Sequence, residues 1–174
     1  MIFYTADTHF NHQNIIKFCP NTRKFDDVKD MNQTIVNNWN SKVKVDDTIF
    51  ILGDMFFGKD FSIINSLNGK KILIQGNHDK KLLSSHRNSF DDVKDILTVK
   101  DGDQTVVLCH YRMYEWDGFY RNTLHFHGHS HGNLISTKRV IDVGLDNPSW
   151  NFHPVTMDEI KNEIKNYPDH PPLV

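Results

Sequence analysis

The sequence contains little cysteine: Cys19 and Cys109 are the only two among its 174 residues. Two cysteines cannot build the disulfide network that holds small secreted domains together, so we expect a protein of the reducing cytoplasm. No apolar run approaches the roughly 20 residues of a membrane-spanning helix. The first residues show neither a basic leader nor the apolar core of a signal peptide. We therefore expect no membrane partner.

The sequence also lacks a strong charge of either sign. Its net charge is −2 with neutral histidines, which gives neither the basic surface of a general nucleic-acid binder nor the acidic excess of a disordered tail. The chain has no internal repeat and is long enough to bury its own core. We predict one domain over residues 1–166 and a loose, proline-containing tail over residues 167–174. Nothing in the sequence indicates an oligomeric state.

Short apolar runs alternate with helical patterns. The runs predicted as strands are Ile2–Ala6, Thr48–Leu52, Lys71–Gln75, Thr105–Cys109, Leu124–His127 and Arg139–Val143. Apolar residues at intervals of four predict a helix over Val28–Ser41, and a capping box at Thr156 opens a helix from Met157 to about Asn166. Shorter helices are predicted after the second run, around Phe61–Leu67, and from about Lys80. This alternation favours an α/β fold with two packed sheets.

Histidine is abundant, with eleven copies. Five clusters of metal-binding residue types each follow a strand-like run: Asp7-Thr8-His9, Gly53-Asp54, Gly76-Asn77-His78-Asp79, Cys109-His110 and Gly128-His129-Ser130-His131. A single cluster of this kind is compatible with an ordinary turn. Because open α/β sheets bind ligands at the carboxyl ends of their strands, the ordered series predicts one convergent site. Oxygen and imidazole ligands suit a pair of divalent metals, and such a pair is typical of phosphate-ester hydrolysis.

Spacing within the clusters gives the expected geometry. Asp7 and His9 are two residues apart, so on an extended segment their side chains point the same way, and the same holds for His129 and His131. The two carboxylate oxygens of Asp54 can bridge two ions. We therefore expect these side chains to face one site.

The series resembles the signature of the calcineurin-like metallophosphoesterases, in which Asp-x-His, Gly-Asp, Gly-Asn-His-Asp or Glu, His and Gly-His-x-His follow in this order. All five blocks are present between residues 7 and 131. The segments Val143–Asp146 and Asn151–Thr156 are similar to the end of small bacterial and phage members. The resemblance implies a four-layer α/β/β/α sandwich of two mixed sheets flanked by helices.

The resemblance also implies a ligand set. One ion would be bound by Asp7, His9, Asp54 and His131, and the other by Asp54, Asn77, His110 and His129. Manganese is the implied ion, with iron, zinc or nickel as alternatives. His78, which is not among these ligands, is the candidate to stabilise the transition state or to protonate the leaving oxygen. Asp79 either orients His78 or caps the following helix.

Substrate contacts are less defined. His12 and Arg112 are candidates, and Arg112 stands where similar proteins often carry proline. The aromatic residues of segment 111–121 either stack on a base or pack on the core. Arg23 is either a phosphate contact or a surface residue. His125 and His127 share one face of their strand, which either lines the site or forms a polar sheet face.

The function predicted from these features is hydrolysis of a phosphodiester in a nucleotide, a cyclic nucleotide or a nucleic-acid end. The absence of room for a cap domain and the Gly-Asn-His-Asp form of the third block favour a diester. The alternatives are a phosphomonoesterase, a metal-binding module without catalysis, and a hydrolase with a single zinc ion.

Overall fold

The structure, a computed structural model, describes residues 1–169. The strands in this range are β1 (Ile2–Thr5), β2 (Thr48–Ile51), β3 (Lys70–Ile74), β4 (Asp92–Lys94), β5 (Ile96–Asp101), β6 (Gln104–Cys109), β7 (Leu124–His127) and β8 (Val140–Asp142). The α-helices are α1 (Ile15–Phe18), α2 (Val28–Lys42), α3 (Lys80–His86) and α4 (Met157–Glu163). Short 3₁₀ helices cover Ser62–Ser66, Arg87–Ser89, Phe119–Arg121, Pro148–Trp150 and Ile164–Asn166.

Within the described residues the strands form two four-stranded sheets. The first has the order β1-β2-β3-β4 with every neighbouring pair parallel. The second has the order β5-β6-β7-β8 and is antiparallel only between β5 and β6. Two sheets with flanking helices confirm the predicted α/β class. The first sheet is less mixed than expected, because its antiparallel element is a single bridge between Tyr4 and Val155 at the edge of β1.

Strands β4 and β5 were not predicted from the sequence. β4 is three residues long and ends in charged side chains, so it carries little apolar signal. β5 is an edge strand with alternating exposure and pairs with β6 across a tight turn at Gly102 and Asp103. A Gly-Asp dipeptide between two strand-like runs is a hairpin signal, and it is the feature of the sequence from which β5 could have been predicted.

Two apolar cores separate the layers. The first lies between the helices and one face of the first sheet, and Met31, Ile35 and Trp39 of α2 contribute to it. The second lies between the two sheets, where Phe50 and Leu108 are among its members. On the far side of the second sheet, the segment with the 3₁₀ helix Phe119–Arg121 supplies a thin outer layer.

Side chains cap the starts of two helices. Asp27 accepts hydrogen bonds from the backbone N–H of Lys29 and Asp30 and so caps α2. The capping box of Thr156 and Glu159 is present at the start of α4. The chain continues past α4 as a 3₁₀ turn, which places the end of the predicted last helix at Asn166.

Part of the predicted tail, residues 170–174, lies outside the described residues. In the described part, the backbone N–H of Lys138 donates to the carbonyl of Pro168 (2.9 Å). Cys19 and Cys109 are both free. Among residues 1–169, no helix combines the length and the apolar character required to cross a membrane. The single domain and the cytoplasmic location stay predictions.

Candidate metal centre

The predicted ligands lie just beyond the carboxyl ends of β1, β2, β3, β6 and β7. Backbone hydrogen bonds join neighbouring ends within each sheet: Asp7 N–H donates to the carbonyl of Gly53 (3.0 Å), and Gly128 N–H donates to that of His110 (3.0 Å). Between the sheets, the backbone N–H of His129 donates to Asp7 Oδ2 (2.8 Å). The approach is close, since a Cβ on Gly128 would lie 2.6 Å from Asp7 Oδ2. Residues far apart in sequence therefore meet at one edge of the sandwich.

Most of the predicted ligands have left-handed backbone. Positive φ angles occur at Asp7 (55°), His9 (48°), Asp54 (54°), His129 (66°) and His131 (49°). Such conformations cost on the order of 1–3 kcal/mol each and cluster at functional sites. The expectation that these pairs lie on extended backbone is wrong. Tight turns direct Asp7 and His9 to one ligand group, and they divide His129 and His131 between two.

Asp7, His9 and His131, called here the first set, can hold one metal ion. One ligand atom from each of these residues lies within 4.8 Å of the others. Asp7 Oδ1 and His9 Nε2 are buried and have no hydrogen-bond partner among the described residues. Because a buried polar atom without a partner is costly, this arrangement calls for a cation between them.

Asp54, His110 and His129, called here the second set, form a neighbouring group with the same 4.8 Å limit. His110 Nδ1 is 2.7 Å from the carbonyl oxygen of Leu52, so this nitrogen donates. The other ring nitrogen, Nε2, faces Asn77 Oδ1 at 3.1 Å and Asp54 Oδ2 at 3.5 Å, and it is free for a metal ion when the ring is neutral. A fixed tautomer with a free Nε2 is the usual arrangement of a metal-binding histidine.

The Asp54 carboxylate lies between the two sets. Its Oδ2 is 3.9 Å from His9 Nε2 and 3.5 Å from His110 Nε2. Its Oδ1 accepts the backbone N–H of His78 (2.9 Å). A Cβ on Gly76 would lie 2.3 Å from Asp54 Oδ1, so the neighbouring strand end must be glycine for the carboxylate to fit.

The carboxyl groups of Asp7 and Asp54 have very different pKa values. Burial raises the pKa of the Asp7 carboxyl to about 8. Burial also opposes ionisation of Asp54, but contact with His110 and the N–H of His78 lowers its carboxyl pKa to about 2. The positive charge near Asp7 does not offset the burial of its carboxylate, whereas the contacts of Asp54 do offset its burial.

These residues fit divalent metal ions. The donors are carboxylate, amide and imidazole groups, which suit manganese, iron or zinc. The unpartnered Asp7 Oδ1 and His9 Nε2 and the raised pKa of Asp7 are the features that a bound cation would resolve.

A buried ion pair that the sequence did not predict supports the first set. His131 Nδ1 donates to Asp146 Oδ2 at 2.7 Å. The Arg23 guanidinium donates to both oxygens of Asp146 and to the carbonyl of Asp7. Both members of the pair have fully buried side chains. The hydrogen bond from His131 and the charge of Arg23 outweigh burial and lower the Asp146 carboxyl pKa, and the His131 pKa rises to about 10.

His78 lies beside this centre. Its ring Nε2 is 3.9 Å from Asp54 Oδ2, and its side chain is 44% exposed. Both predicted roles for Asp79 are wrong. Its carboxylate makes no side-chain cap to α3 and instead accepts the backbone N–H groups of Asp54, Met55 and Gly76. Asp79 therefore fixes the turn that carries Asp54.

The sequence is similar to those of known proteins over nearly its whole length. The protein is 33% identical to the uncharacterized protein MJ1445 of Methanocaldococcus jannaschii, over 94% of this chain and 91% of that protein. The chain belongs to the same family as this archaeal protein. It is 27% identical to the gene 66 protein of Mycobacterium phage L5, over 94% of each chain. No protein-family model matches it.

Among solved structures, the crystal structure of the protein of unknown function AQ665 from Aquifex aeolicus is similar to this one. The TM-score is 0.72 at 26% identity, over 94% of this chain and 99% of that chain. These likenesses show the family and the fold.

The ligand groups open into a cavity of about 450 Å³. Its lining is His9, His12, Ile15, Phe18, Cys19, Asp54, Phe57, Asn77, His78, His129, His131 and Asn133. The predicted substrate contact His12 is in this lining, and its Nδ1 is 3.2 Å from His9 Nδ1. The sequence analysis did not single out Phe18 or Phe57, because isolated aromatic residues usually belong to the core.

The structure places Arg112 away from the cavity, where its Nη1 donates to the carbonyl of Ile135 (2.8 Å). Within segment 111–121, Trp116 and Phe119 pack on the outer face of the second sheet, as the core alternative predicts. Tyr111 alone approaches the centre, and its ring centroid is 4.8 Å from that of His129.

Arg23 is neither a surface residue nor a phosphate contact, because its guanidinium is buried and paired with Asp146. His125 and His127 are fully buried, and neither lines the cavity. His125 Nδ1 donates to the carbonyl of Val107, and His127 Nδ1 donates to that of Gly128. Their strand face is therefore a buried polar layer.

Proposed function

We propose that this protein is a metal-dependent phosphoesterase that holds two divalent ions and cleaves phosphodiesters. The observation that carries the proposal is the pair of adjacent donor sets with the Asp54 carboxylate between them. One ion is assigned to Asp7, His9, Asp54 and His131, and the other to Asp54, Asn77, His110 and His129. Manganese is the preferred ion, and iron, zinc and nickel suit the same donors.

Two such ions, when bound, supply an activated water for attack on phosphorus and positive charge for the phosphate oxygens. The chain itself supplies the proton. As the bond from phosphorus to the leaving oxygen breaks, the His78 imidazolium donates its Nε2 proton to that oxygen. His78 is suited to this role because its backbone is bound to Asp54 while its ring is half-exposed in the cavity.

The cavity lining supports a diester over a monoester. None of its described residues is lysine or arginine. A phosphomonoester carries one more negative charge than a diester near neutral pH, so it requires an additional cation that this lining does not offer. The preferred substrates are therefore esters of a nucleotide, a cyclic nucleotide or a nucleic-acid end.

The test is turnover of bis-p-nitrophenyl phosphate and of p-nitrophenyl phosphate by the protein loaded with Mn²⁺. We expect the diester to have the higher kcat/KM. Cleavage of the monoester alone would select the phosphomonoesterase alternative. If no phosphoester were turned over with any divalent metal, the result would favour the alternative of a metal-binding module without catalysis.

A substitution of His78 separates catalysis from metal binding. His78→Ala should lower kcat by roughly 10²–10⁴ while two equivalents of Mn²⁺ remain bound by elemental analysis. His153→Ala is the matched control, since His153 lies outside the cavity and its ring bonds to the carbonyl of Asn151. Equal losses of metal and activity in His78→Ala would make His78 a ligand instead. Metal analysis that returns one equivalent for the wild type would favour a single-zinc hydrolase.

A further inference from the structure

One side of the metal cavity is aromatic. His12, Phe18 and Phe57, called here the aromatic shelf, line the cavity together with the ligands of both sets. Phe18 is the last residue of α1 and Phe57 follows β2, so separate parts of the chain build this surface. The backbone N–H of Phe57 donates to the carbonyl of Phe10 (2.8 Å), which fixes its position.

The rings of the shelf are ordered against each other. Phe57 stacks on His12 with a centroid distance of 3.9 Å and an interplanar angle of 13°. Phe18 meets the edge of His12 at 6.0 Å. The other neighbour of Phe57 is His78, at 5.8 Å. The shelf therefore lies beside the proposed proton donor and, through His12, against the ligand His9.

The aromatic shelf leaves apolar side-chain surface exposed to water, which is unfavourable unless a ligand covers it. Phe18 is 70% exposed and Phe57 is 42% exposed. They are the exposed large hydrophobic residues, within the described part of the chain, that line this cavity. Exposed apolar surface at the rim of a polar pocket marks a place where a ligand is bound.

We propose that the aromatic shelf binds a planar aromatic ring of the substrate, and that Phe18 and Phe57 select esters that carry one. The inference rests on the proposed function, because it places the phosphate at the metal ligands and the ring beside them. A nucleobase and an aryl group share the required flat face. Stacking on a phenylalanine ring stabilises either, whereas an alkyl ester or a bare sugar has no such face.

The test compares ligands that differ only in the ring. Calorimetry on the Mn²⁺-loaded protein measures the binding of adenosine 5′-monophosphate and of ribose 5-phosphate. We expect the nucleotide to bind roughly ten-fold more tightly, in line with base stacking on one aromatic side chain. A second pair, phenyl phosphate and methyl phosphate, shows whether any aryl ring suffices or whether a nucleobase is required.

Variants of the shelf locate the effect. Phe57→Ala should remove most of the preference for the nucleotide, Phe18→Ala part of it, and Phe57→Tyr little of it, while affinity for ribose 5-phosphate stays within about two-fold. Tyr120→Ala is the control, because Tyr120 is 77% exposed and lies outside the cavity.

The proposal is overturned if the wild type binds the two sugar phosphates equally or binds neither. It is also overturned if the preference survives in both alanine variants. Binding and turnover report separately: a base preference without hydrolysis refutes the proposed function alone, and hydrolysis without a ring preference refutes the shelf alone.

Discussion

The first set, Asp7, His9 and His131, and the second set, Asp54, His110 and His129, use similar donors in different surroundings. Asp7 and His9 are buried and keep unpartnered atoms. In the second set His129 is exposed, and Asp54 and His110 support each other's charge. We therefore expect the first set to gain more stability from a bound ion than the second set, in which one ligand is exposed and the charges of the other two already pair.

In the proposed assignment Asp54 binds both ions, so its substitution should have the largest effect. Asp54→Asn keeps the size of the side chain and an oxygen for the backbone N–H of His78, but it removes the charge between the two ions. We expect both Mn²⁺ equivalents to weaken and kcat/KM to fall by roughly 10³ or more, as for the loss of a principal electrostatic group. Metal analysis and diester turnover check this. Full retention of one ion would show that the sets are independent.

A substitution of Asp146, the hydrogen-bond partner of His131, tests the first set separately from the second. Asp146→Asn should weaken one of the two Mn²⁺ sites by roughly 10–100-fold, because His131 loses its carboxylate partner. It should also lower the free energy of unfolding by about 3 kcal/mol, since Arg23 remains buried without an opposite charge. Titration calorimetry and denaturant unfolding measure the two effects.

A double variant distinguishes positioning of His131 from loss of stability. Arg23→Met combined with Asp146→Leu removes both charges of this buried pair, so part of the stability lost in Asp146→Asn should return. The Mn²⁺ affinity should not return, because the new side chain cannot accept the His131 Nδ1 proton. If both the stability and the Mn²⁺ affinity returned, the pair of Arg23 and Asp146 would have a purely structural role.

Some features of the two sets could be predicted from the sequence, and others could not. The strand ends were predictable because an apolar run followed by Asp or His appears in the sequence itself, as at Asp54 and His110. The pair of Arg23 and Asp146 was not predictable, since its partners are 123 positions apart and no local pattern links them. The role of Asp79 depended on which N–H groups the turn presents, and only the folded backbone defines that.

The aromatic residues show the same limit. Trp116 and Phe119 contribute to a small core, while Phe18 and Phe57 stay exposed at the cavity. All four are aromatic residues outside the strands, so hydrophobicity alone does not distinguish them. The topology of the two sheets decides which of them faces the cavity.

The smallest expected effect is the pH slope that Asp7 of the first set contributes. In the folded, metal-free protein burial raises the Asp7 pKa to about 8, against an ordinary value of 3.8. Between these values the folded state binds a proton on Asp7 that the unfolded state has lost, so the contribution of Asp7 to stability falls as the pH rises, by at most about 1.4 kcal/mol per pH unit. His131 adds a loss of the same sign, but only above its ordinary value of 6.5, because its folded pKa is about 10.

Between about pH 5 and pH 6.5 the buried histidines with lowered pKa values, among them His9 and His125, bind a proton mainly in the unfolded state, so their contribution to stability rises with pH. The contribution of Asp7 is therefore the difference between the wild type and Asp7→Asn. Thermal unfolding in a chelator should show that the stability of the wild type relative to Asp7→Asn declines across this window. His129→Asn, the matched change in the second set, should shift the slope in the opposite direction, because burial lowers the pKa of His129. Saturating Mn²⁺ should stabilise the wild type increasingly as the pH rises, because binding requires ionised Asp7. An equal slope in Asp7→Asn and the wild type would mean that the first set gains no stability from its ion through this carboxylate, and the contrast between the two sets would then rest on burial alone.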